Sequence, residues 1–427
     1  MSAARSPAAP PTTEHPATAA PGALAGIRVL DLSRVLAGPW AAQLLGDLGA
    51  EVIKVERPGA GDDTRTWGPP YVRDGAGAPT TDAAYYLCTN RNKRSIAVDM
   101  QTVAGQALLQ DLARHCDVVI ENFKTGSLAK VGLDYASLRA LNPRLVYCSI
   151  TGFGHTGPYA QRAGYDFLIQ GMGGLMSITG QPDGEPGAGP MKVGVALTDI
   201  LTGLYAANAI QAALHARTRT GQGQHIDLAL LDVGVACLAN QAMNYLHSGV
   251  APQRMGNAHP NTVPYQDFPT ADGYMILATG NDGQFARFCE AAGHAEWAND
   301  PRFARNSGRL EHRGTLIPML RQATVQRTTA DWIALLETVG VPCGPINSIA
   351  DVFADPHLQS RGMQIAMPHA AGADVALVAN PIRLSETPVQ YRQAPPLLGQ
   401  HTREVLREVL QLSNEDIDEL TRNGAVR

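Results

Sequence analysis

Short apolar runs of four to six residues alternate along this chain with longer stretches in which apolar positions recur every three or four. Residues 26–32 (Gly-Ile-Arg-Val-Leu-Asp-Leu) predict a first strand, 40–48 a helix closed by Gly49, and 51–56 (Glu-Val-Ile-Lys-Val-Glu) a second strand. Strand, helix and strand in such short compass make a βαβ unit, which implies a parallel sheet with a ligand crevice at its strand ends. The alternation continues with a strand over 95–99, a helix over 102–115, and strands over 117–121 and 145–150. Beyond Gly221 the pattern changes. A strand over 225–228 leads into a long helix over about 232–246, followed by a strand near 273–278 and a helix over 283–292. Residues 346–395 are irregular and proline-bearing. Helices return at 402–410 and after a capping box at Ser413–Asp416.

The expected fold class is therefore α/β, with a Rossmann-like doubly wound parallel sheet in a large domain and a smaller α+β domain. The expected organisation is a disordered tail over 1–21, the large domain over 22–218 and a linker helix region over 219–255. A small domain follows over 256–345, then a long linker over 346–395, and C-terminal helices over 396–427 that return to the large domain.

Composition narrows the function classes. The formal net charge of -5 argues against nucleic acid as a partner, and no run of eighteen apolar residues predicts a membrane span. Six scattered cysteines and twelve scattered histidines show no metal-ligand spacing; the cysteines read as buried thiols in a reducing, cytoplasmic setting. No metal and no permanently bound cofactor are expected.

Asp199 is the leading candidate for chemistry. It stands between an extended segment and an apolar helix, among Gly194, Ala196, Thr198, Thr202, Gly203 and Ala206. Small neighbours let a ligand approach, and a helix N-terminus favours the ionised, nucleophilic form. The same pattern also reads as a plain helix cap by Thr198 or Asp199, and the two roles are compatible. Three cationic loops surround the predicted sheet: Arg57 after the second strand, Asn90-Arg91-Asn92-Lys93-Arg94, and Asn122 with Lys124. Each alone reads as a solvated face; three around one sheet point to a phosphate-rich ligand. NADP with an oxidoreductase activity is one such reading, weakened because the first loop lacks G-x-G-x-x-G. A non-catalytic binding protein is another, and an intact Asp199 argues against it.

Several ordered segments carry a resemblance. Residues 26–31 with Ala37-Gly38-Pro39, 52–59 (Val-Ile-Lys-Val-Glu-Arg-Pro-Gly), 92–95 (Asn-Lys-Arg-Ser), Glu121-Asn122-Phe123, 152–158, 162–166 (Arg-Ala-Gly-Tyr-Asp) and 396–402 resemble the class III CoA-transferase family of the CaiB/BaiF type, in order, over residues 24–427. The resemblance implies an intertwined homodimer that takes acyl-CoA and carboxylic acid substrates, with coenzyme A itself a substrate. It makes Asp199 the nucleophile. It puts Leu36, Ala37, Arg57, Val98, Asn122, Lys124, Lys130 and Tyr165 on CoA-contacting positions and Asp166 beside the reacting carbonyl. Asn257 and His259 stand where the family carries a glycine-rich lid, and they become candidate substrate contacts. The implied course is an aspartyl anhydride, then an aspartyl-CoA thioester, then return of CoA to the acceptor. Residues 62–70, 90–92, 162–166 and 263–266 look most like the subgroup passing CoA from succinyl-CoA to glutarate. A dicarboxylate needs a cation for its far carboxylate, so Arg91, and after it Arg65, are candidate clamps. The family's racemases use a His/Asp pair; Tyr165 and Thr198 stand near those positions and make poor bases, which favours transfer over racemisation.

Overall fold

The computed structural model describes residues 21–427, and the expected N-terminal tail up to residue 20 lies outside the described residues. The chain gathers into two compact units. One holds the residues up to Leu175 with Val193–Ala242 and His357–Arg427, the other Met176–Lys192 and Met243–Pro356.

In the first unit, β1 (Arg28–Asp31), β2 (Glu51–Glu56), β3 (Lys93–Ala97), β4 (Val118–Glu121), β5 (Val146–Thr151) and β6 (His225–Ala229) form a single sheet. Their spatial order is β3-β2-β1-β4-β5-β6, and every neighbouring pair is parallel. Alternate residues take opposite faces. Val29, Val52, Ile120 and Cys148 join one apolar core, and Leu30, Ile53, Val119 and Tyr147 the other. Both faces are covered, which is why β4 (VVIE) and β5 (VYCSIT) read as nearly unbroken apolar runs rather than as an alternation. The first core is closed by α1 (Ala37–Asp47) and the later long helix Leu197–Thr220, the second by α2 (Val103–Arg114) and the helix Thr402–Leu410. The chain winds outward in one direction from β1 and in the other from β4. Their C-terminal ends therefore flank the topological switch point, where open α/β sheets bind ligands.

The second unit is α+β. Tyr265–Pro269, Tyr274–Ala278 and Cys343–Pro345 form a three-stranded antiparallel sheet. Phe268, Met275, Phe285, Phe288 and Trp332 fill its core. Arg309 is wholly buried there, donating to Val263 O (2.6 Å), Phe303 O (2.8 Å) and Asp282 Oδ1 (2.9 Å).

Several elements differ from expectation. The long helix expected over 232–246 is two, Leu230–Ala236 and Ala239–Ser248, broken where Ala239 takes φ +48. The stretch 346–395 is not wholly irregular. It carries the helices Ile349–Ala354 and Pro356–Ser360 and an antiparallel hairpin of Gln364–Pro368 with Asp374–Val378. Cys116, Cys148 and Cys289 are buried as expected, whereas Cys88 is exposed and Cys237 and Cys343 are half-buried; all six are free thiols. No helix among the described residues is long and apolar enough to cross a membrane.

Candidate active site

Asp199 lies in the first turn of Leu197–Thr220. Ala196, at the cap position, has no side chain able to bond the free N–H groups of that turn. The cap comes from elsewhere. Asp166, the first residue of α3 (Asp166–Met172), accepts from Thr198 N at 2.8 Å and Thr198 Oγ1 at 2.5 Å, so the helix is capped neither by Thr198 nor by Asp199. Gln170, one turn along α3, donates to the other Asp166 oxygen at 2.7 Å and accepts from Val193 N at 2.9 Å. This leaves Asp199 as a half-buried carboxyl with no hydrogen bond or ion pair among the described residues.

Burial, and after it the neighbouring Asp166, pushes the Asp199 carboxyl up from 3.8 to about 7. The expectation that the helix terminus would favour its ionised form is overturned, because desolvation and a like charge outweigh the dipole. The small residues around it also have another cause. In α4 (Leu197–Thr220), Thr202, Gly203 and Ala206 are buried against α1, and a Cβ at Gly203 would come within 2.7 Å of Ala37 O. They are small to let two helices touch. The same contact brings Trp40 against Gly203, one turn beyond Asp199, and its buried indole N–H has no hydrogen-bond partner among the described residues.

Tyr85, which sequence reasoning passed over, belongs to the same neighbourhood. Its hydroxyl is pushed up to about 12, first by burial and then by neighbouring Cys88, Asp199 and Asp166 once they are ionised, and its ring meets Trp67 edge-on at 5.2 Å. It remains a neutral O–H donor near the carboxyl.

At the switch point a cavity of about 160 Å³ opens, lined by Arg34, Lys54, Arg57, Val98 and Phe123 among others. Of the expected CoA contacts, Arg57 and Val98 line it. Leu36 and Ala37 are buried at the start of α1, and Lys124 and Lys130 are exposed beyond β4. Asn122 reaches back to the loop after β1, where its amide brackets the Arg34 backbone. Tyr165 is 69 % exposed, immediately before Asp166.

The clamp candidates are corrected. Arg91 is buried and spends its guanidinium on Asp47 (2.9 and 2.5 Å) and Val378 O (2.8 Å). Arg65, also buried, holds Glu56 (2.8 Å twice), Asp82 (2.9 Å) and Pro396 O (3.0 Å), with its guanidinium 3.7 Å over Tyr86. Buried and held by these partners, neither guanidinium is exposed to clamp a substrate carboxylate. The whole middle loop is likewise internal. Lys93 is buried on Asp31 (2.9 Å), and Arg94 pairs with Glu51, Glu404 and Glu408. Arg91 and Lys93 neutralise the buried Asp47 and Asp31, and Arg94 pairs with part-exposed glutamates, so the cations of this loop are spent within the chain rather than on phosphate.

Asn257 and His259 belong to the second unit. Asn257 is exposed. His259 Nδ1 accepts from Asn261 N at 3.1 Å, which leaves Nε2 as the donor in the neutral ring, and Arg313 donates to His259 O at 2.6 Å.

Comparison with known proteins adds what geometry alone does not. Residues 24–402 match the model of CoA-transferase family III. The chain is 55% identical over 386 residues to a succinate–glutarate CoA-transferase of Agrobacterium fabrum, covering 90% of this chain and 95% of that one. It is 45% identical to a succinyl-CoA:glutarate CoA-transferase of Homo sapiens, covering 94% and 90%. Among solved structures, a CAIB/BAIF family protein from Brucella suis superposes with a TM-score of 0.80 at 53% identity, covering 91% of this chain and all of that one.

Proposed function

The chain belongs to CoA-transferase family III, and from that premise we propose that it moves CoA between succinyl-CoA and glutarate, with Asp199 as the covalent nucleophile. The observation that carries the substrate pair is the 55% identity, over nearly the full length of both chains, to the succinate–glutarate enzyme of Agrobacterium fabrum.

In the proposed course the ionised Asp199 attacks the thioester carbonyl of succinyl-CoA, and the C–S bond breaks to give a mixed anhydride and CoA thiolate. The thiolate attacks the aspartyl carbonyl and releases succinate, leaving an aspartyl-CoA thioester. Glutarate then attacks that thioester and the thiolate returns to the glutaryl carbonyl, so glutaryl-CoA leaves and Asp199 is regenerated. The acyl energy passes along without hydrolysis, which requires that water be kept from the anhydride. What supports Asp199 in this role is that its carboxyl makes no hydrogen bond among the described residues. A capping carboxylate would be spent on the helix, and here Asp166 carries that duty. For the oxyanions we assign the indole N–H of Trp40, which has no hydrogen-bond partner among the described residues, as a donor.

We also propose a homodimer. Phe167 and Leu168 on α3, Leu204 and Tyr205 on α4, and Val235 on the adjoining helix Leu230–Ala236 are all exposed, an apolar surface that a partner subunit would cover. The reaction belongs to a reducing, cytoplasmic setting, a reading supported by six free thiols.

The test is incubation of the purified protein with succinyl-CoA and a panel of carboxylic acids, reading CoA esters by mass spectrometry. Glutaryl-CoA should form, and Asp199→Ala should abolish it while leaving CoA binding intact. Hydroxylamine added during turnover should modify Asp199. Transfer by Asp199→Ala at a near-normal rate would refute the covalent course.

A further inference from the structure

In a dinucleotide-binding loop after the first strand of such a sheet, free backbone N–H groups point at the phosphates. Here the three successive N–H groups after Leu32 are already spent. Ser33 N donates to Asp31 Oδ1 at 3.0 Å, Arg34 N to Asn122 Oδ1 at 2.9 Å, and Val35 N to both Asp62 oxygens at 3.3 Å. The carbonyls of Ser33 and Arg34 accept from Lys54 Nζ (3.1 Å) and Asn122 Nδ2 (2.7 Å). Val35 takes φ +69, a left-handed conformation unfavourable for a β-branched residue. It persists because side chains from several elements over-determine the loop, with Asp62 itself held by buried Lys54 at 2.9 Å. A phosphate arriving at this loop finds no backbone donor among Ser33, Arg34 and Val35.

What the loop does offer is one side chain. The Arg34 guanidinium lies 5.1 Å over the Phe123 ring and lines the same cavity as Arg57. Its one ion pair among the described residues, to Asp63 at 3.4 Å, joins side chains that are 45% and 44% exposed. Exposed pairs of this kind hold weakly, so a phosphate can take Asp63's place. The Arg34 backbone, by contrast, is gripped at both N–H and C=O by the single amide of Asn122, so the guanidinium is carried on a fixed stem.

We propose that Arg34 is a phosphate-binding residue for the CoA moiety, sharing the switch-point cavity with Arg57, and that Asn122 is the positioning residue that presents it. The identity of the ligand rests on the CoA-transferase reading above. The chemistry recognised is a phosphate on an adenosine, which CoA offers both as its 3′-phosphate and as its pyrophosphate.

Calorimetric titration of free CoA and dephospho-CoA into the full-length protein tests this, alongside wild-type transfer from succinyl-CoA to glutarate. Arg34→Ala should raise the CoA Kd by roughly ten- to hundredfold. Arg34→Lys should recover part of the loss, since an ammonium lacks the guanidinium fork. Asn122→Ala should weaken CoA binding in the wild-type background and add little in the Arg34→Ala background, which a merely structural role would not produce. A loss confined to CoA assigns the 3′-phosphate, and an equal loss for dephospho-CoA assigns the pyrophosphate. A CoA Kd within twofold of wild type in Arg34→Ala, with wild-type transfer intact, would overturn the inference and leave the transferase reading standing. A wild type that bound no CoA would overturn both.

Discussion

As the proposed nucleophile, a carboxyl that burial and Asp166 push up to about 7 would tie activity to pH, and it does so against the protein's stability. If Asp199 is the nucleophile, kcat/KM should rise with pH through about 7. Stability runs the other way. Between the ordinary value of 3.8 and about 7 the folded protein holds a proton that the unfolded chain has released, so this group weakens folding as pH climbs through that window and by a constant amount above it. Asp199→Asn should therefore be inactive yet more resistant to urea than wild type at pH 8, by at most about 4 kcal/mol, and show no gain at pH 3.5. Equal urea midpoints for the two proteins at pH 8 would mean that the carboxylate costs nothing where it sits. Arg91 belongs at this scale as well. Since its guanidinium is buried on Asp47, Arg91→Ala should cost about 3–5 kcal/mol of stability by stranding that carboxylate. Its remaining activity should fall evenly across mono- and dicarboxylic acids, and a loss concentrated on dicarboxylates would restore Arg91 as a substrate clamp.

At the scale of elements, α3 and α4 act as one device. Asp166 at the head of α3 caps α4, and the same carboxylate is the like charge that helps push Asp199 up. Cap and electrostatic neighbour are therefore separable by substitution. Asp166→Asn keeps an oxygen for Thr198 and removes the charge, so the acid limb of the pH–rate profile should move below 7, while Asp166→Ala should in addition lose about 0.5–2 kcal/mol of stability. An acid limb unmoved in Asp166→Asn would assign the whole displacement to burial. The loop after β1 works on the same principle, since its shape is imposed by Asp31, Asn122 and Asp62 from outside it.

For the whole molecule, the proposed dimer makes the exposed face of α3 and α4 a subunit interface. Replacing Leu204 and Tyr205 together by Asp should shift the mass seen by light scattering toward that of one chain, because a buried unpaired charge is costly. A wild type that runs as a single chain at working concentration would remove the proposal. The order β3-β2-β1-β4-β5-β6 is also a property of the whole chain, and it brings Arg34 and Phe123, far apart in sequence, to the same cavity at the switch point.

Local chemistry was legible from the sequence because it needs only near neighbours. Apolar runs marked all six strands of the sheet to within two residues at each end. The Ser413–Asp416 box announced a helix start that its side chains do cap, and the helix placed over 102–115 begins where Thr102 caps it. Ordered motifs also pointed to the family, which the comparisons bear out. Partner choice was not legible. The four residues 91–94 look like a phosphate-binding loop until Asp47, Asp31 and Glu51 are folded against them. The glycine and alanines after Asp199 look like ligand access until α1 packs there. Ionisation was decided by tertiary structure too, because the burial and the Asp166 charge that hold Asp199 near 7 arise only when distant segments meet, whereas the helix dipole that the sequence suggested is a local effect and is outweighed.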